Sequence, residues 1–390
     1  MAPDSVPAIY LDWNATAPPL DESIAAMVAA ARSEWANPAS VHRFGRRARA
    51  RVESAREAVA SLARCDVRDV VFTSGGTEAN NIALRSEFGH GDCVGEPGVL
   101  VTSRAEHASI VRVAEALERE GRARVRWVHV GREGAIDVED LEQALSSGDV
   151  RLIAIQAVNQ ETGVIQPLEQ VRAVADQAGA RLHVDAVQAF GRARDVAEFA
   201  DTRSMAAHKI RGPKSIGALV GGRCSMLAPV LLGGAQERGL RPGTVDPIAA
   251  AGFEVAARHA MDAPSIYDGL AALRDRLENA LLDLAGDARV NGCGGLRMPH
   301  VTNISFRGYS GSELVAALDL EGVAVSSGSA CSAGTAEPSP VLIAMSDRDT
   351  AVSSVRFSLG EDTTEDDIEE AVESARRVFA RISSGCRLGA

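Results

Sequence analysis

Five short apolar runs, VVFTSGG, VLVTSRAEH, LIAIQAVNQ, LHVDAVQ and GALVGG, recur between residues 70 and 222, each ending in a polar or glycine-rich turn. They lack the in–out alternation of a half-exposed strand, so they read as strands covered on both faces, as in a mostly parallel sheet flanked by helices. The stretches around them supply helices: Ile24, Met27, Val28, Ala31 and Trp35 repeat with helical spacing, as do Val52, Ala55, Val59 and Leu62. After Pro247 the pattern changes. A helix over roughly 248–261 leads into one carrying Ile266, Leu270, Leu273, Leu277, Leu281 and Leu284. The last helix lines up Ile368, Val372, Ala375, Phe379 and Ile382 behind a cap at Thr363 or Thr364.

A chain of 390 residues is too long for one core. The expected class is α/β, with a boundary near residue 260: an N-terminal segment 1–15, a large domain 16–260 and a smaller C-terminal α/β domain 261–390. A net charge of −12 argues against a nucleic-acid binder, and no run of 18 apolar residues exists to span a membrane. The N-terminus lacks a basic stretch followed by an apolar run. Six cysteines (65, 93, 224, 293, 331 and 386) lie far apart without metal-type spacing, so no metal site is expected and a cytoplasmic location is. The basic stretch RFGRRARAR reads as a solvated helix face.

Ligands of open α/β sheets bind outside the carboxyl ends of the strands, so polar groups there carry the functional signal. Gly75-Gly76-Thr77 turns a strand into a helix whose free N–H groups suit a phosphate, or is a plain strand-to-helix turn. Asp185 ends a buried run and needs a cation, for which a protonated pyridine nitrogen qualifies; capping the next helix is the alternative. Gln188 follows within reach of a ring oxygen. Lys209, between a strand and a Gly-Pro turn, suits Schiff-base formation, with Lys214 as rival. His107 is placed to stack on a flat cofactor and carry protons, or to cap a helix. Arg356 interrupts an apolar strand, either to clamp a carboxylate or as a buried ion pair. Cys331, in SSGSACSAGT, and Cys293, in NGCGG, both sit in small-residue loops where a reactive thiol belongs. The local sequence does not choose between them.

In this order, from Tyr10-Leu11-Asp12-Trp13-Asn14-Ala15-Thr16 and Asn37-Pro38-Ala39-Ser40-Val41-His42 to Arg356-Phe357-Ser358, the motifs resemble the cysteine desulfurases of the NifS/IscS type. These are class-V aminotransferase relatives with the fold type I of pyridoxal-phosphate enzymes, built on a seven-stranded sheet. The resemblance implies pyridoxal 5'-phosphate on Lys209, Asp185 against its ring nitrogen and Gln188 against its ring oxygen. It implies His107 on the ring as acid–base, and Gly76, Thr77 and His208 on the phosphate. Thr244, in ERGLRPGT, would reach the phosphate of the other subunit, which implies a homodimer. Asn159 and Arg356 would hold the carboxylate of the substrate, L-cysteine, and Cys331 rather than Cys293 would take its sulfur. The persulfide would pass to an acceptor protein, with iron–sulfur assembly, tRNA thiolation, and DNA or cofactor sulfuration all open. A selenocysteine lyase, an aminotransferase or a non-catalytic sulfur-assembly scaffold are the alternatives.

Two positions depart from the family pattern. Ala206 stands where a phosphate-binding serine is usual, which implies weaker cofactor retention unless water or Ser204 compensates. Ser215 stands where glycine is preferred.

Overall fold

The computed structural model describes residues 9–89, 97–146, 148–194, 199–327 and 338–383. In chain order its strands are β1 (Ile9–Tyr10), β2 (Val70–Thr73), β3 (Gly98–Ser103), β4 (Ala123–Val128), β5 (Val150–Gln156) and β6 (Arg181–Asp185). There follow β7 (Thr202–Ala206), β8 (Gly217–Val220), β9 (Ala288–Val290), β10 (Val301–Phe306), β11 (Val323–Ala324) and β12 (Ser354–Ser358). Seven form the central sheet, in the order β2-β8-β7-β6-β5-β3-β4. Only β8 runs antiparallel to its neighbours; the other pairings are parallel.

The period of two along each strand divides its side chains between two cores. Val70, Phe72, Val99, Val101, Ile153, Ile155, Ala218 and Val220 enter one. The residues between them, Val71, Leu100, Leu152, Ala154 and Leu219, enter the other. Each fully buried Leu, Ile or Val is worth about 1.5–3 kcal/mol, which is why the middles of these strands are apolar on both faces.

Two strands of the sheet escape the apolar pattern. β4 reads ARVRWV and sits at the sheet edge with Arg124 and Arg126 exposed. β7 reads TRSMA and is buried throughout. Its Thr202 and Ser204 hydroxyls are satisfied by His183 and Asp185 of the adjoining strand.

The helix Asp21–Ser33 forms as its spacing predicts, yet its apolar residues do not all face a core. Ile24 and Val28 are exposed and Trp35, just beyond, is 62% exposed; small Ser23 and Ala30 are the buried ones. Close packing on the helix Pro247–Ala260 selects small residues, and Ser23 donates to the Gly252 carbonyl at 3.0 Å. The basic stretch lies on the helix Arg43–Ala63 and is mostly exposed, with Arg51 turned onto Glu34 and Glu254.

In the second half, β9, β10 and β12 form an antiparallel sheet, and β1 pairs with β11. Ile9 and Leu11 share a core with Phe306, Phe357 and Phe379. The stretch read as one helix through Leu284 is two, Pro264–Gly269 and Ala271–Leu284. Helix Glu365–Ser383 is capped by Thr364, which exchanges hydrogen bonds with Asp367. No helix among the described residues is long and apolar enough to cross a membrane.

Candidate active site

Parallel β3, β5, β6 and β7 end together, and the residues at or just beyond their carboxyl ends line one cavity of about 300 Å³. Lys209 and Asp185 both face it, with Gly76, His107, Gln188 and Arg356. A roomier cavity of about 510 Å³, beside Leu62, Phe190 and Met261, contains none of these groups.

Asp185 is the last residue of β6 and only 7% exposed. Its carboxylate accepts from Asn80 Nδ2 at 2.7 Å, the Val187 backbone N–H at 3.1 Å and Ser204 Oγ at 3.2 Å. All three donors are neutral, so the carboxylate has no cation partner among the described residues. His183 does not supply one: burial lowers that imidazole to about 4, although Asp185 favours its charge.

Asn80 is the hub of this wall. Its Nδ2 donates to Asp185 and, at 2.8 Å, to Ser109 Oγ, so its Oδ1 accepts from His183 Nε2 at 2.9 Å. His107 caps the helix Ala108–Arg119, its Nδ1 accepting from the Ser109 N–H at 3.1 Å. A backbone N–H can only donate, so the neutral ring carries its proton on Nε2. His107 is thus both cap and cavity residue, the two readings its sequence left open.

Lys209 follows β7 on a single 3-10 turn. Its amine donates to the Asn14 carbonyl and, at 2.9 Å, to that of Ala15. His208 lies beside it, Nδ1 3.2 Å from Thr16 Oγ1, and burial together with Lys209, Lys214 and Arg192 lowers it to about 4. Gly76 opens the helix Gly76–Glu87, and a Cβ there would meet Val187 Cγ2 at 2.4 Å. Thr77 is exposed at the same helix start.

Other predicted residues sit differently. Asn159 does not line the cavity: its Oδ1 accepts from the Glu161 and Thr162 N–H groups, both at 2.9 Å, and its Nδ2 donates to Ala105. It shapes the turn that brings Gln160 to the wall. Arg356 does line the cavity and is also a buried ion pair, with Asp12; it donates to Gln160 O at 3.0 Å and leaves a buried Nε without a partner. Thr244 is exposed and away from this cavity. Gln188 donates to the Asn14 carbonyl at 3.0 Å and accepts from Arg192. Ser204 is spent on Asp185, so it does not stand in for the hydroxyl missing at Ala206. Ser215 has φ of 64°, a left-handed conformation that glycine takes without strain.

Cys331 lies outside the described residues. Of the segments flanking it, Ser326 pairs backbone to backbone with Arg356, and Ser339 Oγ donates to Glu161 Oε2 at 2.5 Å. Burial raises Glu161 to about 7. Cys293 is exposed and lines a separate cavity with Asn291 and Met345.

Asn14, Asn80, Ser109, His183 and Arg192 escaped the reading of the sequence. Asn80 had a signal, one helical turn beyond Gly76 and so on the same face. Arg192 had none.

Residues 9–371 match the family described as aminotransferase class-V. Among relatives, cysteine desulfurase 2 of Trichormus variabilis is 38% identical, covering 96% of this chain and 94% of its own. A solved NifS-like protein superposes with a TM-score of 0.86 at 28% identity, covering 96% and 99%. A solved SspA in complex with cysteine superposes with a TM-score of 0.76 at 29% identity, covering 91% and 99%. The chain belongs to the class-V aminotransferase family, among its cysteine desulfurases.

Proposed function

We propose that this protein takes the sulfur from L-cysteine with the help of pyridoxal phosphate, leaving L-alanine and a persulfide on Cys331. One observation carries the reading: an amine at Lys209, a cation-seeking carboxylate at Asp185 and a helix start at Gly76 share a single cavity. The residues fit that cofactor. Among the described residues Asp185 lacks a counter-cation, as a partner for a protonated ring nitrogen would, and Gly76 brings backbone N–H groups to the wall without a side chain in the way. His208, neutral at pH 7, would join them at the phosphate, and Thr77 lies at the same helix start.

When bound, the cofactor supplies an electron sink for the substrate carbon. The chain does the rest. Lys209, steered by the Asn14 and Ala15 carbonyls, takes the proton from Cα. His107 holds a proton on Nε2 at the cavity face. Arg356, which lines the cavity, offers its guanidinium to the substrate carboxylate, while Asn159 acts indirectly, by holding the turn that carries Gln160. The thiolate of Cys331 attacks the substrate sulfur; an S–S bond forms, the Cβ–Sγ bond breaks with its electron pair left on the carbon skeleton, and that skeleton takes up a proton at Cβ and one at Cα and leaves as alanine.

Cys331→Ser should keep the visible band of the bound cofactor and lose alanine release by roughly a hundredfold or more, whereas Cys293→Ser keeps both. Full alanine release by Cys331→Ser would overturn Cys331 as the group that takes the sulfur. Ala206 bears on cofactor retention. Restoring a hydroxyl with Ala206→Ser should tighten the cofactor dissociation constant about ten- to a hundredfold, the equivalent of about 1.5–3 kcal/mol for one hydrogen bond to a charged group. Equal constants measured by equilibrium dialysis would remove Ala206 from the phosphate site.

The same reading includes a homodimer. It is supported by the exposed apolar side chains Ile24, Val28, Trp35, Leu231 and Leu232, which a second copy would cover, and by Thr244, which is exposed and does not line its own cavity. It also includes a division near residue 260, supported by the separate core around Phe306 and Phe379. Unpaired Cys65, Cys224 and Cys293 favour a reducing, cytoplasmic setting.

A further inference from the structure

We propose that Arg192 is a positioning residue for the cofactor: its buried guanidinium orients the Gln188 amide and holds an uncompensated positive charge for the anionic ring oxygen. The inference rests on the pyridoxal-phosphate reading of the cavity and adds a residue to it.

Arg192 is 1% exposed, among the largest fully buried side chains of the protein. A guanidinium donates and never accepts. Its NH1 donates to Gln188 Oε1 and, at 2.9 Å, to Asn14 Oδ1. Its NH2 donates to the carbonyls of Trp13 at 3.1 Å and of Lys209 at 2.9 Å. Nε has no partner. Every acceptor is uncharged, and Arg192 forms no ion pair among the described residues.

The described residues around it offer no counter-ion. The Tyr267 ring lies 5.6 Å away, and its hydroxyl is a further, uncharged hydrogen-bond partner of the guanidinium. Glu361, the carboxylate that acts on Tyr267, is already taken by Arg211 and His259, at 3.3 and 2.6 Å. His300, which shares Asn14 Oδ1 with Arg192, is held well below its ordinary value by burial and by Arg192 and Arg274, so it is neutral. A buried charge left in this state is costly unless something pairs with it.

Two consequences follow. First, Arg192 can only face the oxygen of Gln188, so the Gln188 NH2 must point the other way. One of its hydrogens goes to the Asn14 carbonyl, leaving the second for the cavity. Second, among the described residues the cavity has a carboxylate without a cation at Asp185 and, behind Gln188, a cation without an anion at Arg192. A flat ring with a positive nitrogen at one position and a negative oxygen at another satisfies both.

The test reads the pH at which the visible band of the cofactor–Lys209 linkage changes in the holoenzyme. The positive charge opposes protonation of the linkage nitrogen, so removing it should raise that midpoint. Arg192→Met is expected to shift it upward by about one pH unit or more, as a charge a few ångströms away does in a protein interior. Arg192→Gln keeps neutral donors and should show the same upward shift, which serves if Arg192→Met does not fold. Arg192→Lys keeps the charge and should stay within about 0.3 unit of the unaltered protein. Midpoints for Met and Gln within about 0.3 unit of the unaltered protein, with the band intact, would overturn the role of Arg192 alone. An unaltered protein that develops no band with added pyridoxal phosphate would overturn the cofactor reading itself, and this inference with it.

Discussion

Replacing Lys209 by alanine should remove the visible band of the cofactor-loaded protein and lower alanine release by roughly a thousandfold or more, the scale of losing a covalent anchor together with a positioned acid–base group. The geometry makes this side chain hard to replace from nearby. Its amine is aimed by two main-chain carbonyls, Asn14 and Ala15, which are brought to it from the opposite end of the chain. Lys214, the rival within the same motif, does not line the cavity. The fold should survive, because Ala207 and Ile210, not Lys209, fill the core here. Absorption spectra and alanine assays of the purified variant, with near-ultraviolet circular dichroism to confirm folding, decide the matter. A folded Lys209→Ala protein with an unchanged band would assign the attachment elsewhere.

Asp185→Asn should lower kcat/KM for cysteine by about a thousandfold while the protein stays folded. A charge–charge contact near 4 Å in a protein of effective dielectric about 20 is worth about 4 kcal/mol, and that is about a thousandfold in rate. The substitution also disturbs the wall. Asparagine can still accept from the Val187 N–H and Ser204, but its own NH2 then faces Nδ2 of Asn80. Turning Asn80 over to relieve that clash would break its bond to His183. A stability loss of about 1–3 kcal/mol, for one buried polar group left without a partner, should accompany the loss of rate. Denaturant unfolding and steady-state kinetics separate the two, and a kcat/KM within tenfold of the unaltered protein would show that Asp185 does not set the electron sink.

Which parts of this were readable in advance follows a physical rule. β2, β3, β5 and β8 announce themselves because both of their faces enter a core, and β6 because Leu182 and Val184 enter one, so most of their residues are selected for burial. β4 hides because one of its faces, with Arg124 and Arg126, meets water, and β7 because hydroxyls that look exposed are paired by side chains from another strand. The helix Asp21–Ser33 shows its period but not its orientation, since small residues rather than large ones pack against the helix Pro247–Ala260.

The site divides in the same way. Lys209, Asp185, His107 and Gly76 are legible because each stands at the end of a strand in a motif that is unusual where it occurs. By itself the sequence determined which chemical groups stand at those ends and in what order, since backbone period and turn chemistry are local. Only the tertiary structure decided what each group touches. Asn14 gathers Lys209, Gln188, Arg192 and His300; Asn80 joins Asp185 to His183 and Ser109; Asn159 is turned to its own loop. Hydrogen bonds act over about 3 Å, whereas many of these partners stand a hundred or more residues apart, and only packing of the sheet brings them within that reach.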